Sequence, residues 1–205
     1  MITFFHSPMS RSTAIAGLIN ELDIWDQIDL RLVSIVRIDG SGRFDAANPH
    51  PEHKVPALLH DGHLITERGA IITYLTTLFP SDLAPRVGTP EWGEMVSWLS
   101  WYQGVLEPVF VFDGAKITHP WLDATFRDLA QATERVRAAL RKGPYLMGER
   151  YSVADLLVAS AYSFFPESTK DDQLIRDWVA RCTGRPAMVR TREEEFARMA
   201  QLKAA

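Results

Sequence analysis

The spacing of apolar residues changes character near residue 80, and this change divides the chain into two parts. Before residue 80, short apolar runs typical of strands alternate with helix-like segments. Beyond it, apolar residues recur only at the three- and four-residue spacing of amphipathic helices. The segment between the two parts is rich in turn-forming residues, including Pro80, Pro85 and Gly88, which is typical of a domain boundary. We predict one domain over residues 1–80, a linker over 81–88 and an all-helical domain over 89–205.

The first part predicts a mixed four-stranded sheet with helices beside it. Residues 2–5 and 29–36 have the aromatic and β-branched composition of strands. A helix between them favours a parallel pair with a right-handed crossover. Residues 37–53 read as a loop. Two further strands flank Asp61-Gly62, which favours a tight hairpin turn because both central residues of that turn need positive φ.

The second part predicts a series of helices. Thr89 and Pro90 are suited to begin the first one, and Pro108 is expected to kink or stop it. A single helix is expected from Pro120 to about Leu140, since its apolar residues lie along one stripe. Ser152 and Asp155 have the spacing of a capping box before a nearly all-apolar helix, and we assign them a structural role only. Two more helices are expected, near residues 174–182 and 186–199.

Composition limits the classes of function. The 205 residues carry a net charge of -4 with a pI near 5.9, which gives no reason to expect nucleic acid as a partner. Cys182 is the only cysteine, so an internal disulfide and a cysteine-based metal site are excluded. The six histidines are scattered and complete no metal-ligand pattern. No run of about 18 apolar residues and no basic leader occurs. We therefore expect a cytoplasmic protein with no membrane segment and no metal.

Four segments in a fixed order carry a resemblance to a known family: FFHSPMSRS after the first strand, NPHPEHKVPAL before the hairpin, ITERGAIITYL after it, and GERYSVADLLVA in the helical part. Together they resemble the soluble, bacterial-like glutathione S-transferases with a serine-type active site. The resemblance implies a thioredoxin-like α/β N-terminal domain that binds glutathione. It also implies an all-α C-terminal domain that contributes the site for an electrophile, a homodimer, and a role in detoxification.

The resemblance assigns the glutathione contacts to residues around the hairpin. The family pairs the backbone before a cis proline with the cysteinyl part of glutathione, and Val55 and Pro56 match these positions. Glu67 matches the acid that meets the γ-glutamyl end. Arg68 stands where the family usually has serine, so its backbone N–H, its guanidinium or both are expected to meet the γ-glutamyl carboxylate. The glycyl carboxylate is assigned to His53 and Lys54.

The group that activates the glutathione thiol is expected in the loop after the first strand. Family members use a tyrosine, serine or cysteine there to stabilise the thiolate, which is the nucleophile. Phe4 and Phe5 lack a hydroxyl, whereas Ser7 lies where serine-type members have theirs. Ser10 is the main alternative, followed by Ser12, Arg11 or a backbone donor. Each serine has another common role open to it, which is to cap the following helix.

The resemblance also places an apolar pocket in the helical part. Trp101, Tyr102 and Phe110 are the candidates, and each is equally suited to a bundle core or a dimer contact. We expect a transferase that conjugates the thiolate of glutathione to a small apolar electrophile. The alternatives are a glutathione-dependent isomerase, dehalogenase or peroxidase on the same scaffold, and a non-catalytic relative that binds glutathione or a protein partner.

Overall fold

The computed structural model describes residues 1–204, with side chains up to residue 202. Its internal packing separates two compact units. One contains Met1–Phe79 together with the described residues from Arg185 onward, and the other contains Pro80–Gly184. The first boundary falls one residue before the end of the predicted domain. The last helix was predicted to belong to the helical domain, but it packs within the unit that contains the sheet. The spacing of apolar residues identifies a helix but not the element against which it packs.

The sheet has four strands in the order β2-β1-β3-β4. β1 pairs parallel with β2 and antiparallel with β3, which pairs antiparallel with β4. The mixed four-stranded sheet is therefore as predicted, although β2 ends earlier than residue 36. It ends because the Ser34 backbone N–H donates to the Asp45 carboxylate at 3.0 Å and leaves the strand ladder. The strands are β1 Ile2–His6, β2 Ile28–Leu32, β3 Ala57–His60 and β4 His63–Thr66.

The α-helices of the described chain follow a simple order, with α1, α2 and α9 in the sheet unit and α3 to α8 in the helical unit. Short 3-10 turns lie at Trp25–Gln27 and Pro166–Thr169. Within the described residues, no helix combines the length and the apolar character that crossing a bilayer requires. The helices are α1 Thr13–Leu22, α2 Arg68–Leu78, α3 Pro90–Trp101, α4 Glu107–Gly114, α5 Pro120–Phe126, α6 Leu129–Leu140, α7 Val153–Phe164, α8 Gln173–Thr183 and α9 Pro186–Ala204.

α9 lies against α1, and both packing and polar contacts hold it there. A side chain on Gly17 of α1 would approach the Met188 Sδ atom to 2.9 Å, so glycine permits the close approach of the two helices. The Glu21 carboxylate accepts two hydrogen bonds from the Arg185 guanidinium, at 2.6 and 2.8 Å. The Asn20 amide donates to Thr191 Oγ1 at 2.8 Å. The end of the chain is thereby fixed to the helix that follows β1.

Pro108 was predicted to kink or stop the helix that begins at Pro90, but that helix ends at Trp101, before it reaches Pro108. α3 passes through a π-helical turn, Tyr102–Leu106, and the chain then continues as α4 with Pro108 in its opening turn. The wider hydrogen-bonding of a π-turn precedes the proline, so the ring lies at a helix start, where its missing N–H costs little.

The prediction of a single helix from Pro120 to Leu140 is wrong, because two helices form in this segment. Arg127 adopts a positive φ of 65° and ends α5. The Asp128 side chain then accepts a hydrogen bond from the Gln131 N–H at 2.8 Å and caps α6. One residue in an unusual conformation breaks the helix without interrupting the apolar stripe, which is why periodicity misses it.

The predicted capping box at the start of α7 is confirmed. The Asp155 carboxylate accepts from the Ser152 N–H at 3.0 Å, and the Ser152 hydroxyl accepts from the Ala154 N–H at 3.3 Å. Asp155 also accepts from the Leu146 N–H and from the Trp178 indole N–H, each at 2.9 Å. Burial raises the pKa of Asp155, and these hydrogen bonds oppose that effect. Asp155 therefore links the start of α7 to the Leu146 backbone and to the Trp178 side chain of α8, in keeping with a structural role.

Candidate functional site

The strand register collects the predicted glutathione-binding residues at one edge of the sheet. Phe5 of β1 pairs with Ala57 of β3, so Val55 and Pro56 lie just before this pair and the loop of residues 7–12, here called the serine loop, follows just after it. Ala57 in turn pairs with Thr66 of β4, and Glu67 directly follows Thr66. The end of β1, the start of β3 and the end of β4 therefore present the serine loop, the proline and the acid side by side.

The peptide bond between Val55 and Pro56 is cis, as predicted. Val55 is buried and packs in one apolar cluster with Phe5, Val33 and Ala57. The cluster joins the end of β1 to the segment before β3. The residue whose backbone the resemblance assigns to the cysteinyl part of glutathione is thus packed in a buried apolar cluster.

The chain approaching the cis proline is held by the side chain of Asn48, the first residue of the segment NPHPEHKVPAL, to which the sequence analysis gave no role. The buried Asn48 amide donates to the Lys54 carbonyl at 3.1 Å, and its oxygen accepts from the His50 N–H at 3.1 Å. The signal was the Asn-Pro dipeptide, because asparagine readily bonds the backbone two residues on. His53 and Lys54 are both exposed, and the Lys54 ammonium pairs with Glu52.

Glu67 and Arg68 differ sharply in exposure. Glu67 is exposed, occupies the N-cap position of α2 with a φ of 68°, and does not cap the helix with its side chain. Arg68 is 5% exposed. The acid therefore faces solvent beside the first N–H groups of α2, while the arginine side chain is directed into the protein. A helix N-terminus of this kind favours an anion.

The Ser7 hydroxyl is buried and lies next to a guanidinium. Arg37 Nη2 donates to Ser7 Oγ at 3.0 Å. The same guanidinium donates to the backbone carbonyls of Pro8 at 2.7 Å and Met9 at 3.1 Å. Arg37 comes from the loop after β2, outside every motif of the sequence analysis, and only the folded chain brings it to Ser7.

Ser10 and Ser12 are bonded within the loop. Ser10, which is partly exposed, donates its hydroxyl to the Ser7 carbonyl at 2.6 Å and lies 2.9 Å from Ser12 Oγ. Ser12 is buried, with its hydroxyl oxygen 2.7 Å from His6 Nδ1, and accepts from the Ser7 N–H at 3.2 Å. Ser12 precedes α1 at the N-cap position, yet its side chain does not cap that helix.

A buried acid from α9 completes the loop. Glu195 Oε1 lies 2.8 Å from His6 Nε2, and its other oxygen accepts from the Met9 N–H at 2.6 Å and from the Thr13 hydroxyl. Burial alone would raise the pKa of Glu195, but the contacts to His6, Thr13 and Met9 outweigh it and lower the pKa. His6 lies within the segment FFHSPMSRS but was given no role there, and Glu195 belongs to no motif recognised in the sequence.

The three aromatic candidates of the helical unit occupy different environments. Tyr102 and Phe110 are each 2% exposed, and Phe110 packs 5.1 Å from both the Tyr162 and the Phe165 ring centroids. Trp101 is partly exposed. The Arg135 guanidinium lies 4.5 Å from the Trp101 ring centroid and 4.8 Å from that of Trp98, which is the geometry of a cation–π contact. Trp101 is thus the candidate that keeps accessible surface.

Histidine, cysteine and carboxylate side chains do not gather into a metal-binding group anywhere in the part of the chain that the structure describes. His60 and His63 are opposite each other across the β3–β4 hairpin. His60 Nδ1 is 2.6 Å from the Tyr74 hydroxyl.

Comparison with known proteins identifies the class of fold. A glutathione transferase from Methylococcus capsulatus strain Bath superposes with a TM-score of 0.77 at 26% identity, covering 96% of this chain and 100% of that one. A sphingomonad glutathione S-transferase complexed with glutathione superposes with a TM-score of 0.74 at 24% identity, covering 94% and 98%. The chain has the glutathione S-transferase fold, with a thioredoxin-like first part and a mostly helical second part.

The sequence comparisons agree with this class. Residues 4–86 match the family described as glutathione S-transferase, N-terminal domain. An uncharacterized GST-like protein of Streptococcus mutans serotype c (strain ATCC 700610 / UA159) is 28% identical over 197 residues, with 82% of this chain and 71% of the relative covered.

Proposed function

We propose that this protein is a glutathione transferase, which adds the thiolate of glutathione to a small apolar electrophile. The observation that carries the proposal is the alignment, at one sheet edge, of the serine loop, the cis Val55–Pro56 bond and Glu67. These elements lie in the part of the chain that matches the N-terminal domain family. The sphingomonad protein of the same fold is complexed with glutathione.

In this proposal the tripeptide is held mainly by backbone groups and exposed charges. The Val55 backbone pairs with the cysteinyl part, and the exposed Glu67 carboxylate accepts from the γ-glutamyl ammonium. Because Arg68 is buried, its backbone N–H at the start of α2, rather than its guanidinium, receives the γ-glutamyl carboxylate. His53 and Lys54 are exposed and available to the glycyl carboxylate.

Hydrogen-bond polarity favours Ser7 as the donor to the thiolate. Ser7 Oγ already accepts a hydrogen bond from Arg37, so its own proton is directed away from the guanidinium. A hydroxyl donor and a nearby cation both favour the thiolate over the thiol, whose ordinary pKa is about 8.5. The serine is not a base in this scheme; it stabilises the nucleophile that attacks the electrophile.

Exposure favours Ser10, which is the alternative donor. Ser7 is completely buried, whereas Ser10, three residues further along the loop, is partly exposed. Ser10 donates to the Ser7 carbonyl, and a carbonyl oxygen can only accept, so Ser10 has to give up this hydrogen bond before it can donate to a thiolate. Donation to the thiolate by Ser10 therefore requires a hydrogen bond within the loop to break, whereas donation by Ser7 keeps its hydrogen bond from Arg37. Separate mutation of the two serines distinguishes these cases.

The experiment compares Ser7→Ala and Ser10→Ala with wild type and with Ser97→Ala, an exposed serine on α3. Thiolate absorbance of bound glutathione against pH gives the thiol pKa, and conjugation of an aryl halide gives turnover. We expect Ser7→Ala to raise the thiol pKa and leave the glutathione dissociation constant within about fivefold of wild type, since one hydrogen bond is worth about 1 kcal/mol. A rise in Ser10→Ala alone would transfer the role to Ser10.

The extensive internal bonding of the loop favours one other function, a non-catalytic glutathione-binding protein. All three loop serines already take part in hydrogen bonds with protein groups. Tight glutathione binding with an unshifted thiol pKa and no turnover of any electrophile would select this function. Failure of the wild-type protein to bind glutathione would refute both.

A further inference from the structure

We propose that Glu195 on α9 is a positioning residue for the thiol-activating loop. Its carboxylate, together with His6, fixes the loop backbone from Ser7 to Thr13 and thereby the hydroxyls presented to glutathione. The inference rests on the proposed function and extends it, because it makes the last helix of the chain part of the activating machinery.

Glu195 binds the loop directly. One carboxylate oxygen accepts from the Met9 N–H at 2.6 Å and from the Thr13 hydroxyl at the start of α1. Met9 has a φ of 54°, in the left-handed region that a residue with a side chain rarely adopts without support. A charge-assisted hydrogen bond to the Met9 N–H supplies that support. The Met9 carbonyl in turn accepts from Arg37, the residue that also meets Ser7.

Glu195 also acts through His6. Glu195 Oε1 and His6 Nε2 are 2.8 Å apart, close enough for an ion pair although not aligned as a regular hydrogen bond. An unprotonated Nε2 would point its lone pair at the carboxylate, so the proton belongs on Nε2. The other ring nitrogen meets Ser12 Oγ at 2.7 Å, and Ser12 accepts from the Ser7 N–H. The Glu195 carboxylate therefore fixes the orientation of the His6 ring, the ring fixes the Ser12 hydroxyl, and that hydroxyl binds the Ser7 backbone N–H.

The environment of Glu195 is consistent with a fixed charge. Both the carboxylate and the His6 ring are buried, with side-chain exposures of 1% and 0%. Arg198 lies one turn further along α9, with Nη1 3.8 Å from Glu195 Oε1, and its guanidinium is 4.6 Å from the Trp25 ring centroid. A buried acid is costly to build, and the contacts of Glu195 lead either to the loop after β1 or to the charged groups beside it.

The position of α9 against α1 does not depend on Glu195. Arg185 with Glu21, Thr191 with Asn20, and the close approach at Gly17 hold α9 to α1 at other turns of the helix. Replacing Glu195 should consequently release the loop while leaving α9 in place. This separation makes a positioning role testable apart from a general contribution to folding.

The test compares Glu195→Gln with Glu194→Gln in the full-length protein. Glu194 is the neighbouring acid, and its carboxylate accepts hydrogen bonds from Asn20 and Arg198 rather than from the serine loop. Ser12→Ala is the second variant, because it breaks the His6 branch while the Met9 anchor stays. Three quantities are measured: hydrogen exchange of the Met9 amide without ligand, the thiol pKa of bound glutathione, and kcat and KM for conjugation.

We expect Glu195→Gln to speed exchange of the Met9 amide about tenfold or more, raise the thiol pKa, and lower kcat about tenfold to a hundredfold with little change in KM for glutathione. Glu194→Gln should behave as wild type, and Ser12→Ala should raise the thiol pKa with less effect on Met9. Faster exchange with unchanged thiol pKa and kcat would reduce Glu195 to a structural residue and overturn the inference. Unchanged exchange would overturn it as well.

The failure of the proposed function has a different signature. If the wild-type protein binds no glutathione, that function is refuted, and exchange of the Met9 amide still decides whether Glu195 anchors the loop. If the wild-type protein binds and activates glutathione but Glu195→Gln does so equally well, only the positioning role is refuted.

Discussion

Arg37 Nη2 lies 3.0 Å from Ser7 Oγ and donates a hydrogen bond to it. The two residues come from different loops, one after β1 and one after β2, which the parallel pairing of these strands brings to the same sheet edge. The hydroxyl thus receives a hydrogen bond from a cation on one side and keeps its own proton for another partner. This relationship gives Ser7 a chemical environment that Ser10 and Ser12 lack.

The first prediction concerns Arg37. Arg37→Ala should raise the pKa of the bound glutathione thiol by about one unit, because a nearby cation typically lowers the pKa of an acid by that much or more. Arg37→Lys should give an intermediate value, since lysine keeps the charge but not the planar fork that reaches two carbonyls and a hydroxyl. Thiolate absorbance against pH measures the change.

Arg43→Ala is the matched control for that series, because Arg43 is exposed in the same loop. It should leave the thiol pKa at the wild-type value. An equal shift in both variants would mean that only the net charge of the loop matters, and would remove the specific role of Arg37.

The second prediction concerns Glu67. Glu67→Gln should weaken glutathione binding about tenfold or more, because a hydrogen bond to a charged group contributes about 1.5–3 kcal/mol. Turnover at saturating glutathione should change much less, since the acid is assigned to the γ-glutamyl end and not to the sulfur. Calorimetric titration gives the dissociation constant. A binding constant equal to that of Glu91→Gln, a first-turn acid of α3, would contradict the assignment.

The third prediction separates the aromatic residues of the helical unit. Phe110→Ala should lower the free energy of unfolding by about 3–5 kcal/mol, because it leaves a cavity among buried rings. Trp101→Ala should cost less stability, since its ring is partly exposed, and should raise KM for an apolar electrophile. Urea unfolding and conjugation kinetics on the same samples measure both effects. If Trp101→Ala changed only stability, Trp101 would have no part in the electrophile pocket.

The fourth prediction follows from the lowered pKa of Glu195. An acid whose pKa is lower in the folded state binds protons more tightly when unfolded, so its stabilising effect is present above its ordinary pKa of 4.5. That effect is lost as the pH falls through the lower, folded-state pKa. The wild-type protein should therefore lose its stability advantage over Glu195→Gln below pH 4.5, whereas the advantage should be steady above it.

Urea unfolding of wild type, Glu195→Gln and Glu194→Gln between about pH 6 and about pH 3 measures this difference, a range that brackets ordinary glutamate titration. His6 and Arg198 are the charged or titratable partners within 4 Å of the carboxylate in the described structure. A constant difference between wild type and Glu195→Gln across that range would show that the carboxylate does not titrate differently on folding.

Short sequence signals predicted most of the helices and strands, because turns and helix caps depend on residues that are close together in the chain. Asp61-Gly62 predicted the β3–β4 hairpin, and Ser152 with Asp155 predicted the start of α7, since both signals act within four residues. The same locality explains the errors. Arg127 breaks a helix through one backbone angle, and a π-turn before Pro108 absorbs the expected kink, and neither leaves a trace in the spacing of apolar residues.

The sequence by itself determined the mixed sheet and the change to helices near residue 80, and its resemblance to a known family led us to expect the cis proline. Tertiary structure alone decided which groups surround the serine loop. Arg37 reaches Ser7 from the segment after β2, and Glu195 reaches His6 and Met9 from the last helix. Contacts between distant segments depend on how helices and strands pack, and packing is set by side-chain shape across the whole unit rather than by any local pattern.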